Sequence, residues 1–236
     1  MIDSSSALCK PIKPNPELEL HVEPRLTVSI IPFQVRNGVF CVGTIVVGAS
    51  EHVLPSRSPD TREPLDAAAE QLMVESTGHP PAYLEQLYTL SIEQREPWRI
   101  IVSYIALVSP DSHRPNEELV WREPADLQLR RDTDRMLLDY ALVRLRAKLG
   151  YTNIAFHLLP RTFTLTDLQV VYERVLDQEL DKRNFRRRLS ASGIVTRTGV
   201  LRRDGKHRPA ELYRFTSDSD QSTFLTPPWA RMETPS

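Results

Sequence analysis

The stretch from Thr164 to Phe215 constrains the fold more than any other part of this sequence. TLTDLQVVYERVL carries apolar residues at helical spacing, with Thr164 or Thr166 as N-cap, the latter making a Thr-x-x-Gln capping box with Gln169. A few residues on, Asp181 caps a second helical pattern, KRNFRRRLSAS, which Gly193 terminates. IVTRTG, LRRDGKHRPA and ELYRFT then read as strand, basic loop and strand. Two helices joined by a tight turn and followed by a hairpin is the order of a winged helix-turn-helix.

Charge points the same way. The chain has a net charge of −1, but residues 1–160 carry −5 and residues 161–236 carry +4. From Lys182 to Arg208 there are ten bases against one acid, Asp204. Such a block suits phosphate, because each neutralised phosphate releases condensed counterion. A charge run can also be a plain solvated face. A solvated helix normally intersperses Glu with its Arg, however, and KRNFRRRLSAS contains none.

On a helical wheel Phe185 and Leu189 define the buried side of the second helix, while Arg183, Arg187 and Ser190 point away from it. A helix lying in a major groove would present those three to base edges, and Arg is the commonest reader of guanine. Lys182, Asn184, Arg186 and Arg188 complete the proposed DNA surface on this helix, and Arg197, Arg202, Arg203, Lys206, His207 and Arg208 supply it from the hairpin. Taken alone, His207 could be a ligand or a general base. No second His, Cys or carboxylate pair is placed to share either task, which favours a phosphate or minor-groove contact.

Upstream, LTVSIIPFQV, Asn37-Gly38 and VFCVGTIVVG read as a β-hairpin, Asn-Gly being the strongest two-residue turn signal. Residues 50–63 read as loop. LDAAAEQLMVEST is an amphipathic helix after Pro64 that stops at Gly78. YLEQLYTL and PWRIIVSYIALV are strands, the second apolar enough for a sheet centre. A long helix begins at Asp132, with Leu137, Leu138, Ala141, Leu142, Leu145 and Leu149 on one stripe. The expected class is α+β. The expected organisation is an extended arm over 1–25, a first domain over 26–130, a linker helix and connection over 131–160, a winged helix-turn-helix over 161–217 and a disordered tail over 218–236.

ALVRLRAKLGYTNIAFHLLPRTFTLTDLQVVYERVLDQELDKRNFRRRLSASGIV, followed by TGVLRRDGKHRPAELYRF, resembles the NrtR-type Nudix-related transcriptional regulators. The resemblance covers roughly residues 137–216 and continues more weakly through LTVSIIPF, LDAAAEQLMVESTG and YLEQLYTL. It implies a Nudix-like α/β/α sandwich ahead of the winged helix. It also implies a homodimer on a palindromic double-stranded DNA operator, and repression of NAD-metabolism genes relieved by ADP-ribose or a related nucleotide.

The first domain departs from the pattern of an active Nudix hydrolase, Gly-x5-Glu-x7-Arg-Glu-U-x-Glu-Glu-x-Gly, whose helical glutamates hold Mg²⁺. In register with Gly78, Arg57 stands at the first Gly, Gln71 at the Arg, Leu72 at the first helical Glu and Ser76 at the third. Only Glu63 and Glu75 of the acidic set remain. No catalytic residue, metal site or cofactor is therefore expected. Arg57, Arg62 and Glu75 are the candidate effector contacts, in a cleft between the sheet and the helix over 64–77. Ser56-Arg57 stands where relatives have two glycines, and a side chain at each blocks close approach of backbone to phosphate, although Arg57 offers a charge instead.

The remaining alternatives are a Nudix-type pyrophosphohydrolase, a regulator of sugar-metabolism genes with another effector, and an RNA-binding adaptor. Paired aromatics for single-strand stacking are missing from the basic block, which counts against the last. With Gly 8 against Pro 19 and no GxGxxG or GxxxxGK[ST] string, P-loop and Rossmann chemistry are excluded. Cys9 and Cys41 lie far from any CxxC spacing and are expected to be reduced thiols. Neither a signal peptide nor a membrane span is read in the sequence, so a cytoplasmic protein is expected.

Overall fold

The structure is a computed structural model and describes residues 24–92, 98–112, 118–203 and 209–216. The arm up to residue 23, the tail from 217 onward, and Lys206, His207 and Arg208 of the wing lie outside the described residues.

Strand β1 (Arg25–Arg36) turns at Asn37-Gly38 into β2 (Val39–Val47). Both turn residues have positive φ, 50° and 76°, as a two-residue hairpin turn of the primed type requires. After β3 (Glu51–Val53) and β4 (Ser56–Arg57) comes helix α1 (Leu65–Thr77), ended by Gly78 at φ 77°. β5 (Tyr83–Ile92), β6 (Arg99–Leu107) and β7 (Val120–Arg122) complete a mixed sheet of order β3-β2-β1-β6-β5, with β4 on β1 and β7 on β2. β1 and β6 pair in parallel from Arg25↔Arg99 to Phe33↔Leu107, and the other pairs are antiparallel. The apolar run of β6 lies inside the sheet, between β1 and β5.

Residues 50–63 are not simply loop, since they contain β3 and β4. These two- and three-residue strands show no alternation of their own and exist because β2 and β1 offer unpaired backbone.

Alternation along the central strands divides the apolar residues between two faces. Val28, Ile30, Val102, Tyr104 and Ala106 pack with Ala68, Ala69, Leu72 and Met73 of α1. Tyr104 Oη also donates to Asp66 Oδ1 (2.7 Å), tying the first turn of α1 to β6. Ile31, Phe33, Val35, Ile105 and Leu107 face the other way, onto Leu137, Leu138, Ala141, Leu145 and Leu149 of α2 (Asp132–Leu149). The helix read from sequence as a linker is thus the third layer of the sandwich. Glu85 of β5 accepts from Lys148 and from Arg144 (2.7 Å) of α2, and Tyr83 joins the same cluster.

The same apolar cluster runs on without a break into the C-terminal elements. It takes in Ile154, Ala155 and Leu158 of a 3-10 turn, then Leu168, Val171, Tyr172 and Val175 of α3 (Leu165–Leu176), then Phe185 and Leu189 of α4 (Lys182–Ser192). Polar ties reinforce this contact, since Arg174 Nε donates to Gly38 O (2.9 Å) and Arg146 Nε to Val175 O (2.9 Å). Strands β8 (Val195–Arg202) and β9 (Ala210–Phe215) form a separate antiparallel hairpin. No helix among the described residues is long and apolar enough to cross a membrane.

Candidate nucleic-acid interface

α3 begins at Thr164. Its Oγ1 accepts from Asp167 N (3.1 Å) while Thr164 N donates to Asp167 Oδ2 (2.8 Å), a reciprocal box that satisfies two end groups at once. The Thr166–Gln169 box open in the sequence does not form. Gln169 instead donates to Glu173 Oε1 (2.8 Å) and to Leu180 O (3.2 Å), bracing the turn into α4.

α4 starts where Asp181 Oδ1 accepts from Asn184 N (2.7 Å) and stops at Gly193, φ 69°. Phe185 and Leu189 are its buried residues, and Phe185 meets the ring of Tyr172 edge-on at 5.5 Å. Two anchors four residues apart fix the rotation of the helix about its axis, and with it the side that faces out. Lys182, Arg183, Arg187 and Ser190 are exposed, whereas Asn184, Arg186 and Arg188 are half-buried on the flanks. Arg187 donates to Asn184 Oδ1 (2.7 Å) and Arg186 to Thr166 Oγ1 (3.1 Å).

On the hairpin, Arg197 is exposed and lies 3.5 Å from Glu211 Oε2 across the strands. Arg203 is exposed. Arg202 has a different setting, because its guanidinium grips both oxygens of Asp167 (2.8 and 3.0 Å). Burial alone would raise the Asp167 carboxyl, but the Arg202 and Thr164 hydrogen bonds outweigh it and hold the group below the ordinary carboxylate value. Thr164, Thr166, Asp167, Lys182, Arg186 and Arg202 line a cavity of about 670 Å³ between α3, α4 and the hairpin. Sequence reasoning missed Asp167, although the Thr-x-x-Asp spacing at 164–167 carries a capping signal.

The candidate effector residues are brought together in part. Arg57 pairs with Glu63 and donates to Gln71 Oε1 (3.3 Å), and Gln71 donates in turn to Glu75 Oε1 (2.8 Å). Arg62 stands apart from this chain of bonds, exposed and at φ 68°. Leu72 and Ser76 are buried, at 7% and 3% exposure, so the helix offers apolar and hydroxyl groups inside the domain where a Nudix hydrolase needs carboxylates. That donor set does not fit a hard divalent cation.

Comparison with known proteins follows the same division of the chain. The NrtR DNA-binding winged helix domain matches residues 155–215. The ADPR responsive transcriptional repressor NtrR of Acinetobacter baylyi is 35% identical over 209 residues, 81% of this chain and 82% of that protein. The chain belongs to the NrtR family of transcriptional repressors. Like its NrtR relatives, it is a regulator rather than an enzyme, with a winged helix at its C-terminal end and a Nudix-like fold before it. The crystal structure of Shewanella oneidensis NrtR with a 27mer DNA is 27% identical, covers 85% of this chain and 98% of that one, and superposes with a TM-score of 0.73. A MutT/nudix family protein from Enterococcus faecalis shares the fold at 19% identity and a TM-score of 0.65.

Proposed function

We propose that this NrtR-family protein is a homodimeric cytoplasmic repressor that binds double-stranded DNA through α4 and the β8–β9 wing. The carrying observation is the outer face of α4, where Lys182, Arg183 and Arg187 stand exposed in a helix without a single acidic residue. On this reading Arg183, Arg187 and Ser190 reach base edges, while Lys182, Asn184, Arg186, Arg188, Arg197, Arg203 and the basic residues 206–208 serve phosphates.

The effector is ADP-ribose or a related nucleotide, in keeping with the ADPR responsive repressor of Acinetobacter baylyi. The regulated genes are those of NAD metabolism. A homodimer follows from the few base pairs that one recognition helix can read. Met136, Tyr140 and Val143 support it, forming an exposed apolar stripe at helical spacing on the outer side of α2 (43%, 50% and 65% exposed).

The test selects duplexes from a random pool with the purified protein, maps the selected sequence onto the genome and titrates ADP-ribose into the complex. The expected result is a palindrome upstream of NAD synthesis or salvage genes, bound two chains to one duplex and released by ADP-ribose. A non-palindromic site bound by a single chain, or a complex indifferent to the nucleotide, refutes the corresponding part.

A further inference from the structure

The wing is held at two places by different means. At its base, Val195↔Phe215, Thr196↔Arg214 and Arg197↔Tyr213 pair regularly. Phe163 and Tyr213 exchange two backbone hydrogen bonds (3.0 and 2.7 Å), and Val195, Tyr213 and Phe215 pack against the core. Beyond Arg197 the register breaks and resumes only at Leu201↔Glu211. Gly199 sits there at φ 76°, and Thr198 Oγ1 reaches across to Leu212 O (2.9 Å) in place of a ladder bond. Val200 and Leu201, both 56% exposed, bring little packing to the outer half.

A bulge of this kind is a joint. From Gly199 to Arg203 the chain extends roughly 13 Å at about 3.3 Å per residue, so a swing of about 10° at the joint carries Arg203 about 2 Å. A phosphate hydrogen bond does not survive such a displacement. Among the described residues, the outer half is tied to α3 by the two-pronged contact of Arg202 with Asp167 (2.8 and 3.0 Å). The carboxylate is itself aimed by the capping box with Thr164 at the start of α3.

We propose that Asp167 is a positioning residue for DNA binding: through Arg202 it locks the outer wing to the N-terminus of α3, and so sets the distance between the wing and the recognition helix α4. This rests on the reading of α4 and the wing as the DNA surface. It gives Arg202 an internal role in place of the phosphate contact expected from its position in the basic block.

The two roles predict opposite signs. If Arg202 were a phosphate contact, Asp167 would be a carboxylate held beside DNA, and neutralising it would tighten binding. If the pair is a clamp, Asp167→Asn loosens the wing and weakens binding. The test measures affinity for a duplex selected by the wild-type protein from a random pool, using full-length wild type, Asp167→Asn, Arg202→Gln and the double variant, with thermal melts alongside. Arg202→Gln leaves the capping box intact, so it reports on the clamp even if Asp167→Asn frays α3. Each single variant is expected to bind about tenfold more weakly, and the double variant no more weakly than the worse single one, because both remove one interaction. Asp167→Asn binding as tightly as wild type or tighter, or losses that add in the double variant, overturns the clamp while leaving the DNA-binding function intact. Failure of the wild-type protein to bind any duplex overturns both.

Discussion

Replacing Arg187 by Ala separates base reading from charge neutralisation on α4. The side chain is exposed, and its guanidinium reaches Asn184 Oδ1 within the same helix, so truncation opens no cavity. Ala is also the better helix former, and folding stability should stay within about 0.5 kcal/mol of wild type. Any larger loss of DNA affinity is then a loss of contact. A bidentate bond from Arg to guanine contributes roughly 1–3 kcal/mol of discrimination, which corresponds to about 5- to 150-fold weaker binding to the selected duplex. Arg203→Ala is the comparison, because an exposed arginine on the wing is placed for phosphate. It should weaken selected and scrambled duplexes alike and flatten the salt slope by about one unit. Fluorescence anisotropy on both duplexes at four or so salt concentrations gives each quantity. If Arg187→Ala loses equal affinity on both duplexes with a flattened slope, α4 does not lie in the groove with this face inward.

Phe185→Ala should destabilise the protein by roughly 3–5 kcal/mol, since it removes one of the two buried anchors of α4 and the edge contact with Tyr172; chemical denaturation measures it, and a loss below about 1 kcal/mol would show that the helix is held otherwise. Gly43→Ala places a methyl 2.8 Å from Leu119 Cδ1 and 3.2 Å from both Pro32 Cγ and Trp121 Cη2, and is expected to cost about 1–3 kcal/mol by overpacking, read as a lowered Tm. Burial holds the His157 imidazole below its ordinary value despite a backbone hydrogen bond with Ala82, so the folded state favours the neutral ring. Stability should be full above about pH 6.5 and decline as pH falls from there toward the folded value, with His157→Gln removing that slope in denaturation curves collected across the range. Asp167 and Glu85, both held below the ordinary carboxylate value, add a further loss below about pH 4; flat stability down to pH 3 would contradict those networks.

Features governed by neighbours in the chain were legible in the sequence. Asn37-Gly38 selects its turn because both residues tolerate positive φ, and Phe185 with Leu189 defines the inward side of α4 because helical geometry relates residues four apart directly. The string of motifs from AFHLLP to ELYRF placed the family for the same reason, since a winged helix is assembled from consecutive elements. What required the tertiary structure was every partnership between distant segments. The parallel pairing of β1 with β6 joins residues more than seventy positions apart. The apolar stripe of α2 shows that one face is buried but not that the sheet covers it. Arg57 and Arg202 look like free cations in the sequence, and only the fold brings Glu63 to one and Asp167 to the other. A charge advertises its sign along the chain, whereas its partner is fixed by packing, and the partner decides whether an arginine is open to a ligand or spent on the protein itself.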